Sequence, residues 1–378
     1  MRILLVGEFS RLHNSLKEGL EQLGNEVLIV SNGDGFKNYP TDLSTKPIFC
    51  ETKLMKLPRI LIHKITKFDI ATLEIGIQFY FHLNKLKNFD VVQLINEAPI
   101  QTIPILERYL IKKIFKHNKK VFLLCCGVDY LVAKHLIEKK ERYSIMNPFF
   151  ENPKSIKEYQ FILAFLSDNH KKTHKLVYDI IQGVIASDID YLNPIKEQKK
   201  YKGLIGNPVN TDTITFKESI IKDKIIIFLG INRGTYYSKG ISFFEDSLSI
   251  IKEKYADAIE IIVIENIPYK DYILQFDKAH IILDQVYGFD QGYNALEAMA
   301  KGKVVFTGAE NEFESYYNVT EKVAVNALPN VSYLVNQLEF LIENPNEIIA
   351  TGKRARAFIE KEHNYKIIAS KYLKTWEV

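Results

Sequence analysis

Apolar and polar positions along the chain alternate between two rhythms. Short runs of consecutive apolar residues, RILLVGEF at 2–9, EVLIVS at 26–31, FDVVQLIN at 89–96 and KKVFLLCCG at 119–127, read as buried strands. Between them lie stretches such as HNSLKEGLEQLG, with apolar residues three and four apart and Gly24 as the stop, which read as helices. DIIQGVIAS, near residue 180, is a further strand. The segment EQKKYKGLIGNPVNTD combines charge, Gly and Pro and reads as an interdomain connection. The rhythm then restarts with KIIIFLG at 224–230, the helical ISFFEDSLSIIKEKYA, and the strands EIIVIEN, AHIILDQ and KVVFTG. This alternation predicts an α/β fold of two Rossmann-like domains, 1–204 and 205–361, each a parallel sheet with helices on its faces. Two such sheets are expected to face a central cleft, with ligands beyond the carboxyl ends of their strands.

Composition narrows the class. At 378 residues, with 47% hydrophobic and 25% charged residues, the chain is neither disordered nor membrane-spanning in character. The formal net charge of +4 hides an asymmetry: residues 1–200 hold 30 Lys+Arg against 22 Asp+Glu, and the remainder 20 against 24. Residues 53–142 alone carry 17 against 8, interleaved with apolar residues in KLMKLPRILIHKITKF and YLIKKIFKHNKK. On charge this stretch suits nucleic acid or anionic lipid, but no nucleic-acid recognition motif accompanies it, and no nucleic-acid partner is expected. Cys50, Cys125 and Cys126 form neither a disulfide framework nor a CxxC pair, which fits a reducing cytoplasm. The opening apolar run is too short for a signal peptide, and no stretch approaches the ~20 apolar residues of a membrane span. The expectation is a cytoplasmic protein, soluble or peripheral on a membrane.

Candidate chemistry concentrates in the second half. The Gly7-Glu8-Phe9-Ser10 turn lacks the second and third glycines of a dinucleotide fingerprint, which argues against an NAD-type oxidoreductase. In FLGINRGTYYSKGISFF a strand ends at Gly230, and the following loop offers Arg233 and Lys239 before Gly240 opens a helix; two cations there can hold a diphosphate. In ILDQVYGFDQGYNALEAMAKGKVVF, Gly288 and Gly292 let backbone amides approach a phosphate or sugar. The helix start at Asn294 and Ala295 adds further amides, and Glu297 can accept hydrogen bonds from ribose hydroxyls. Base recognition is expected after EIIVIEN, at Glu265, Asn266 and Ile267. Asp129, after a strand, is a candidate for the cleft and equally for a helix cap. Asp188-Ile189-Asp190 spells a metal-binding DxD, but it lies far from the phosphate loops. His170 and His174 stand four apart without a third ligand, so no metal is expected.

The segment LEAMAKGKVV, downstream of a strand-Gly-x-x-Arg…Lys-Gly loop, resembles the donor-binding half of GT-B glycosyltransferases, in particular the retaining glycosyltransferase family 4. The resemblance spans essentially the whole chain. It implies a retaining transfer of a sugar from a nucleoside diphosphate to an acceptor hydroxyl, with the sugar nucleotide as co-substrate and no other cofactor. By match, Arg233 and Lys239 neutralise the diphosphate and Glu297 binds the ribose. Where the family places a Glu against the donor sugar this chain has Phe289, with Asp284, Gln285 and Asp290 as nearby polar substitutes. INEAP at 95–99 resembles a His-Glu-Pro-like site, with Asn96 at the His position and Glu97 retained, both expected to position a sugar. Residues 362–378 are expected to return to the N-terminal domain, as the family's last helix does. A basic N-terminal half suits a glycan or lipid-linked glycan acceptor of surface polysaccharide synthesis at an anionic membrane, with Lys112, Lys113 and Lys116 facing it. Phe289 leaves open a silent sugar-nucleotide-binding scaffold, and the fold also hosts phosphorylases and epimerases.

Overall fold

The computed structural model describes residues 1–66, 68–265, 267 and 269–377, and at positions 36, 153, 269 and 270 the backbone only. The chain divides into two compact units, each assembled from separated segments.

The first unit comprises Met1–Lys134, Ile162–Pro208 and Tyr365–Val378. Its strands are β1 (Arg2–Val6), β2 (Glu26–Ser31), β3 (Leu43–Ser44), β4 (Val91–Leu94), β5 (Lys120–Cys125), β6 (Gly183–Ala186) and β7 (Tyr201–Leu204). They form one sheet in the order β3-β2-β1-β4-β5-β6-β7, every pair parallel. Because both faces of the sheet's interior are covered, β1, β4, β5 and β6 are buried along nearly their whole length, which is why they read as continuous runs. The order reverses between β1 and β4, so the loops after these two strands flank the unit's topological switch point.

One face is closed by the helix Tyr365–Glu377, which lies on the helix Leu12–Gln22. Their closest approach is at Gly19, where a Cβ would stand 2.3 Å from the Tyr365 carbonyl oxygen. Tyr372 and Trp376 are buried against Leu5, Leu16 and Ile29, and the Trp376 indole N–H donates to Gln93 Oε1 on β4 at 3.0 Å.

The second unit comprises His135–Phe161 and Val209–Asn364. Here β8 (Ile225–Ile231), β9 (Ile259–Glu265), β10 (Ile281–Leu283), β11 (Val304–Thr307) and β12 (Val325–Asn326) form a parallel sheet in the order β12-β11-β10-β8-β9. The order reverses between β8 and β10, so the loops carrying Lys239 and Asp284 meet at this sheet's switch point.

Three boundaries differ from those the sequence suggests. The division falls at Pro208/Val209 rather than after 204, because the chain stays bound to the first sheet past its last strand: the Ile205 N–H donates to the Ala186 carbonyl at 2.9 Å and Ile205 lies in the first core. Residues 362–364 stay with the second unit rather than returning to the first, and His363 packs there on Tyr317 and Phe358. Most consequentially, residues 135–161 leave the N-terminal unit for the second one. Tyr159 is fully buried there and donates to the Ile145 carbonyl at 2.7 Å, and Tyr143 and Ile145 pack on the second core.

Candidate functional site

Strand β8 ends at Ile231, and the side-chain carbonyl of Asn232 accepts the Gly234 N–H at 2.9 Å, tying off a short turn at Arg233–Thr235. The turn carries Arg233 to the surface, where its guanidinium binds Glu265 Oε2 at the end of β9, 2.7 Å away, and lies 4.9 Å from the Tyr236 ring centroid. Six residues on, the Lys239 ammonium binds Asp284 Oδ1 at 2.7 Å. Asp284 sits just past β10 and is buried, and Thr307 donates to its other oxygen at 3.4 Å. Gly240 then starts the helix Ile241–Tyr255 with φ of 64°, and a Cβ there would lie 2.2 Å from Val286. Glycine is therefore needed twice over at this position, for its backbone angle and for the loop that crosses it.

Each cation or amide pair of this loop is matched by a carboxylate. Glu158, from the 135–161 segment, accepts the backbone N–H groups of Tyr237 and Ser238 at 3.0 and 2.8 Å. The cations and amides of the loop are thus held in place by Glu265, Asp284 and Glu158.

The loop 284–292 is packed rather than open. Phe289 is buried, stacked on Tyr143 with ring centroids 5.1 Å apart, and the Arg142 guanidinium lies 4.6 Å from its ring centroid. Arg142 also forks to Glu310 and Glu312 at 2.6–2.8 Å, and the Tyr143 hydroxyl donates to Glu310. Burial pushes the Glu310 carboxyl up, but its bonds from Tyr143, Asn326 and Arg142 outweigh burial and hold it below the usual range. Glu310, just past the end of β11, thus brings a carboxylate beside Phe289, whose carbonyl accepts the Glu310 N–H at 3.3 Å.

Among the other expected donor residues, Gly230 makes room for the Tyr272 ring, and Gln285 packs over Gly288. Asp290 is buried and accepts the Gln291 N–H at 2.7 Å. Gly292 caps the helix Tyr293–Ala300. Asn294 is exposed at the start of that helix, whereas the Ala295 side chain is wholly in the core. Glu297 lies in the second turn, half-buried, with Lys301 Nζ 3.2 Å away. Ile267 is exposed, and Asn266 lies outside the described residues.

In the first unit, the loop after β4 brings its candidates together differently from the sequence expectation. Asn96 is buried, and its side-chain oxygen accepts the Ala98 N–H at 3.0 Å, which commits that atom to its own turn. Glu97 is buried and joined to His174 Nδ1 by a 2.6 Å hydrogen bond. Tyr130 and Tyr178 flank the imidazole at 4.9 and 4.4 Å between ring centroids. Asp129, fully buried, accepts the Val132 N–H at 2.9 Å, so it caps its helix and also faces this cluster. His170 contacts Ser167 at 3.1 Å, and Asp188 accepts the Tyr191 N–H at 3.2 Å.

Burial dominates the electrostatics of this cluster. It pushes Glu97 up to about 8, and, with help from the Glu97 charge, Asp129 up to about 7. It lowers His174. Burial thus opposes charge on both members of the Glu97–His174 pair. Glu8 and Glu107, also buried in this unit, are pushed up to about 7.

A pH dependence of stability follows with a definite sign. These four carboxyls bind protons more tightly folded than unfolded, so each contributes stability that is lost as pH rises from its ordinary 3.8–4.5 to its raised value. His13, lowered by burial to about 4, and His174 act oppositely, but only below their ordinary 6.5. Between pH 6.5 and 8 the carboxyls act alone, and the first unit is expected to lose stability. Its core holds the chain's single tryptophan, Trp376, so the urea midpoint followed by fluorescence reads this unit directly. The midpoint should fall across that range, and Glu97→Gln should reduce the fall; a midpoint that rises contradicts the assignment.

The residues that sequence reasoning missed are Arg142, Tyr143, Glu158, His174 in its pairing with Glu97, Gly308 and Glu310. Only Glu310 has a local signal, a carboxylate at the start of the helix Asn311–Tyr317 just after a strand-end glycine.

Residues 243–374 match a family model described as glycosyl transferase-like. No curated protein sequence matches the chain. Among solved structures, sucrose-phosphate synthase from Thermosynechococcus elongatus superposes with a TM-score of 0.61 at 13% identity, covering 100% of this chain and 98% of that one. Anabaena HepE, solved with UDP and glucose, gives 0.59 at 11% identity, covering 100% and 99%. The UDP-GlcNAc 2-epimerase of Neisseria meningitidis, bound to UDP-GlcNAc, gives 0.52 at 14% identity, covering 99% of each chain. At such identities the likeness is one of fold, and it extends over both units. The chain is accordingly a GT-B-fold protein, and its residues 243–374 resemble the glycosyl transferase-like family.

Proposed function

We propose that the chain is a glycosyltransferase that moves a sugar from a nucleoside diphosphate to an acceptor hydroxyl with retention of configuration. The observation that carries this reading is the pairing of Lys239 with buried Asp284 where the loops after β8 and β10 meet, in the region matching the glycosyl transferase-like family. An ammonium has three donors, so Asp284 can orient Lys239 while a phosphate oxygen takes another N–H. Arg233 is exposed and keeps further guanidinium donors beyond the one on Glu265. As the anomeric carbon loses its bond to the diphosphate, the sugar becomes oxocarbenium-like and negative charge grows on the leaving oxygen; preorganised cations lower that barrier. The leaving phosphate then accepts the acceptor's proton on the same face. Glu297 binds the ribose, and the acceptor is a glycan or lipid-linked glycan of bacterial surface polysaccharide synthesis at an anionic membrane.

A panel of UDP-, GDP-, ADP- and CMP-sugars in a thermal-shift experiment tests donor binding. The right donor should raise the melting temperature, since a ligand at 100 times its Kd stabilises by about 2.7 kcal/mol. Arg233→Ala should erase the shift, and a panel without any response would sink the reading.

A second reading is favoured by the carboxyls Glu97 and Asp129, whose raised affinity for protons suits proton exchange near neutral pH. In that case the chain would epimerise a free sugar nucleotide. Appearance of the epimer from UDP-GlcNAc without any acceptor separates the two.

A further inference from the structure

The helix Lys53–Thr66 has no buried side chain. Its sequence, KLMKLPRILIHKIT, contains no carboxylate. An amphipathic helix of a folded unit ordinarily turns its apolar stripe inward. Here Leu54, Leu57, Leu61 and Ile65, spaced so as to share one side, are exposed by 82, 76, 59 and 73%. Just ahead of the helix, Ile48 and Phe49 are exposed by 71 and 59%.

The outward presentation is built, not frayed. The opposite side of the helix, at Met55, Arg59 and Ile62, is partly buried. Arg59 makes a two-bond fork to Asp69 at 2.7 and 2.6 Å, which ties the helix to the cap of the next one. Glu74 holds the N–H groups of Ile48, Phe49 and Cys50 at 2.7 Å each, which fixes the approach. Alongside the stripe runs a groove lined by Lys56, Arg59, His63 and Lys64, together with the carboxylates Glu51 and Asp69, the latter neutralised by Arg59.

We propose that helix Lys53–Thr66, with Ile48 and Phe49, is an interfacial membrane anchor whose apolar stripe enters an anionic phospholipid leaflet while Lys53, Lys56 and Lys64 bind its headgroups. A protein partner would need its own apolar groove. A lipid surface supplies both an apolar layer and, immediately above it, the negative charge that the flanking lysines match. Insertion differs from the purely electrostatic contact expected at Lys112, Lys113 and Lys116. Those lysines lie on the separate helix Pro104–Lys116, where Lys113 rests on the Tyr109 ring. The inference gives the lipid-linked acceptor reading a physical surface and to that extent rests on it. Vesicle binding without any donor is nonetheless independent of transfer.

The test is co-sedimentation of the full chain with phosphatidylcholine vesicles, with and without phosphatidylglycerol, at low and high salt. The native chain should bind the anionic vesicles and retain part of that binding at high salt. Leu57→Ser with Leu61→Ser, at exposed positions that leave the fold and donor-induced thermal shift unchanged, should weaken binding at least about tenfold, because two large apolar side chains no longer leave water. Lys56→Glu with Lys64→Glu should weaken it on anionic vesicles alone. The proposal is overturned if the native chain does not bind. It is also overturned if the serine pair binds normally while charge reversal at Lys112, Lys113 and Lys116 abolishes binding. A dimer in solution that the serine pair dissociates, without vesicle binding, would assign the stripe to a second copy of the chain. Loss of the donor thermal shift with vesicle binding intact would instead overturn the transfer reading and leave the anchor standing.

Discussion

Lys239→Ala should turn over the sugar nucleotide about 10²–10³-fold more slowly than the native chain, the usual cost of deleting one preorganised group that stabilises developing negative charge. The substitution has a second consequence that must be separated from the first. Asp284 has only 7% of its side chain exposed, and without Lys239 it keeps Thr307 as a weak donor but loses its cation. Breaking a fully buried pair on one side costs roughly 3–5 kcal/mol, and the 30% exposure of the Lys239 side chain reduces that figure. The melting temperature should therefore fall as well. Adding Asp284→Asn to Lys239→Ala removes the stranded charge and should restore most of the melting temperature while leaving turnover low. Recovery of turnover in the double variant would mean that Lys239 serves the fold and not the diphosphate.

Gly308→Ala is expected to be nearly as damaging, although it touches no ionisable group. A Cβ at 308 would lie 2.5 and 2.6 Å from the Asp290 carbonyl oxygen and nitrogen and 2.6 Å from the Gly288 carbonyl carbon. All three are backbone atoms, so no rotamer change relieves the contact, and the loop 284–292 has to move. That loop is also anchored to Gly308 by the Gln291 side chain, which donates to the Gly308 carbonyl at 2.7 Å. A misplacement of about 1 Å at a reacting centre can cost about 10²-fold, and overpacking costs about 1–3 kcal/mol in stability. Donor titration should give a higher Kd together with lower turnover. An alanine variant with native donor affinity would show that the loop does not place the donor.

Much of the fold was legible because a doubly covered parallel strand is written as a continuous apolar run, whereas its helices keep a 3.6-residue rhythm. The short edge strands β3 and β12 carry too few residues for any period to show. The Arg233–Lys239 loop was legible for a related reason: glycines and cations punctuate an otherwise apolar strand end. Pairings across the sequence were not. Arg142 meets Glu310 from 168 residues away, and His174 meets Glu97 from 77, with nothing local to announce either. Asn96, given a sugar-positioning role by resemblance, has its side-chain oxygen bonded to the Ala98 N–H, a contact nothing in the sequence announces. The helix Lys53–Thr66 shows a further limit, since a period reveals that a helix has an apolar side and not which way that side is turned.

The interleaving of segments between the units bears on how a growing chain acquires its structure. The first sheet is specified by residues 1–204, yet its cover, with Tyr372 and Trp376, arrives only when residues 365–377 have been synthesised. The second unit begins with residues 135–161, made in the middle of the first, and these must wait for Phe289 and Glu310 before Arg142 and Tyr143 find their partners. Domains usually complete themselves in order during translation. Here each unit includes a segment from the other's stretch of sequence, so a cut at Pro208/Val209 leaves the first unit without its last helix and the second without residues 135–161.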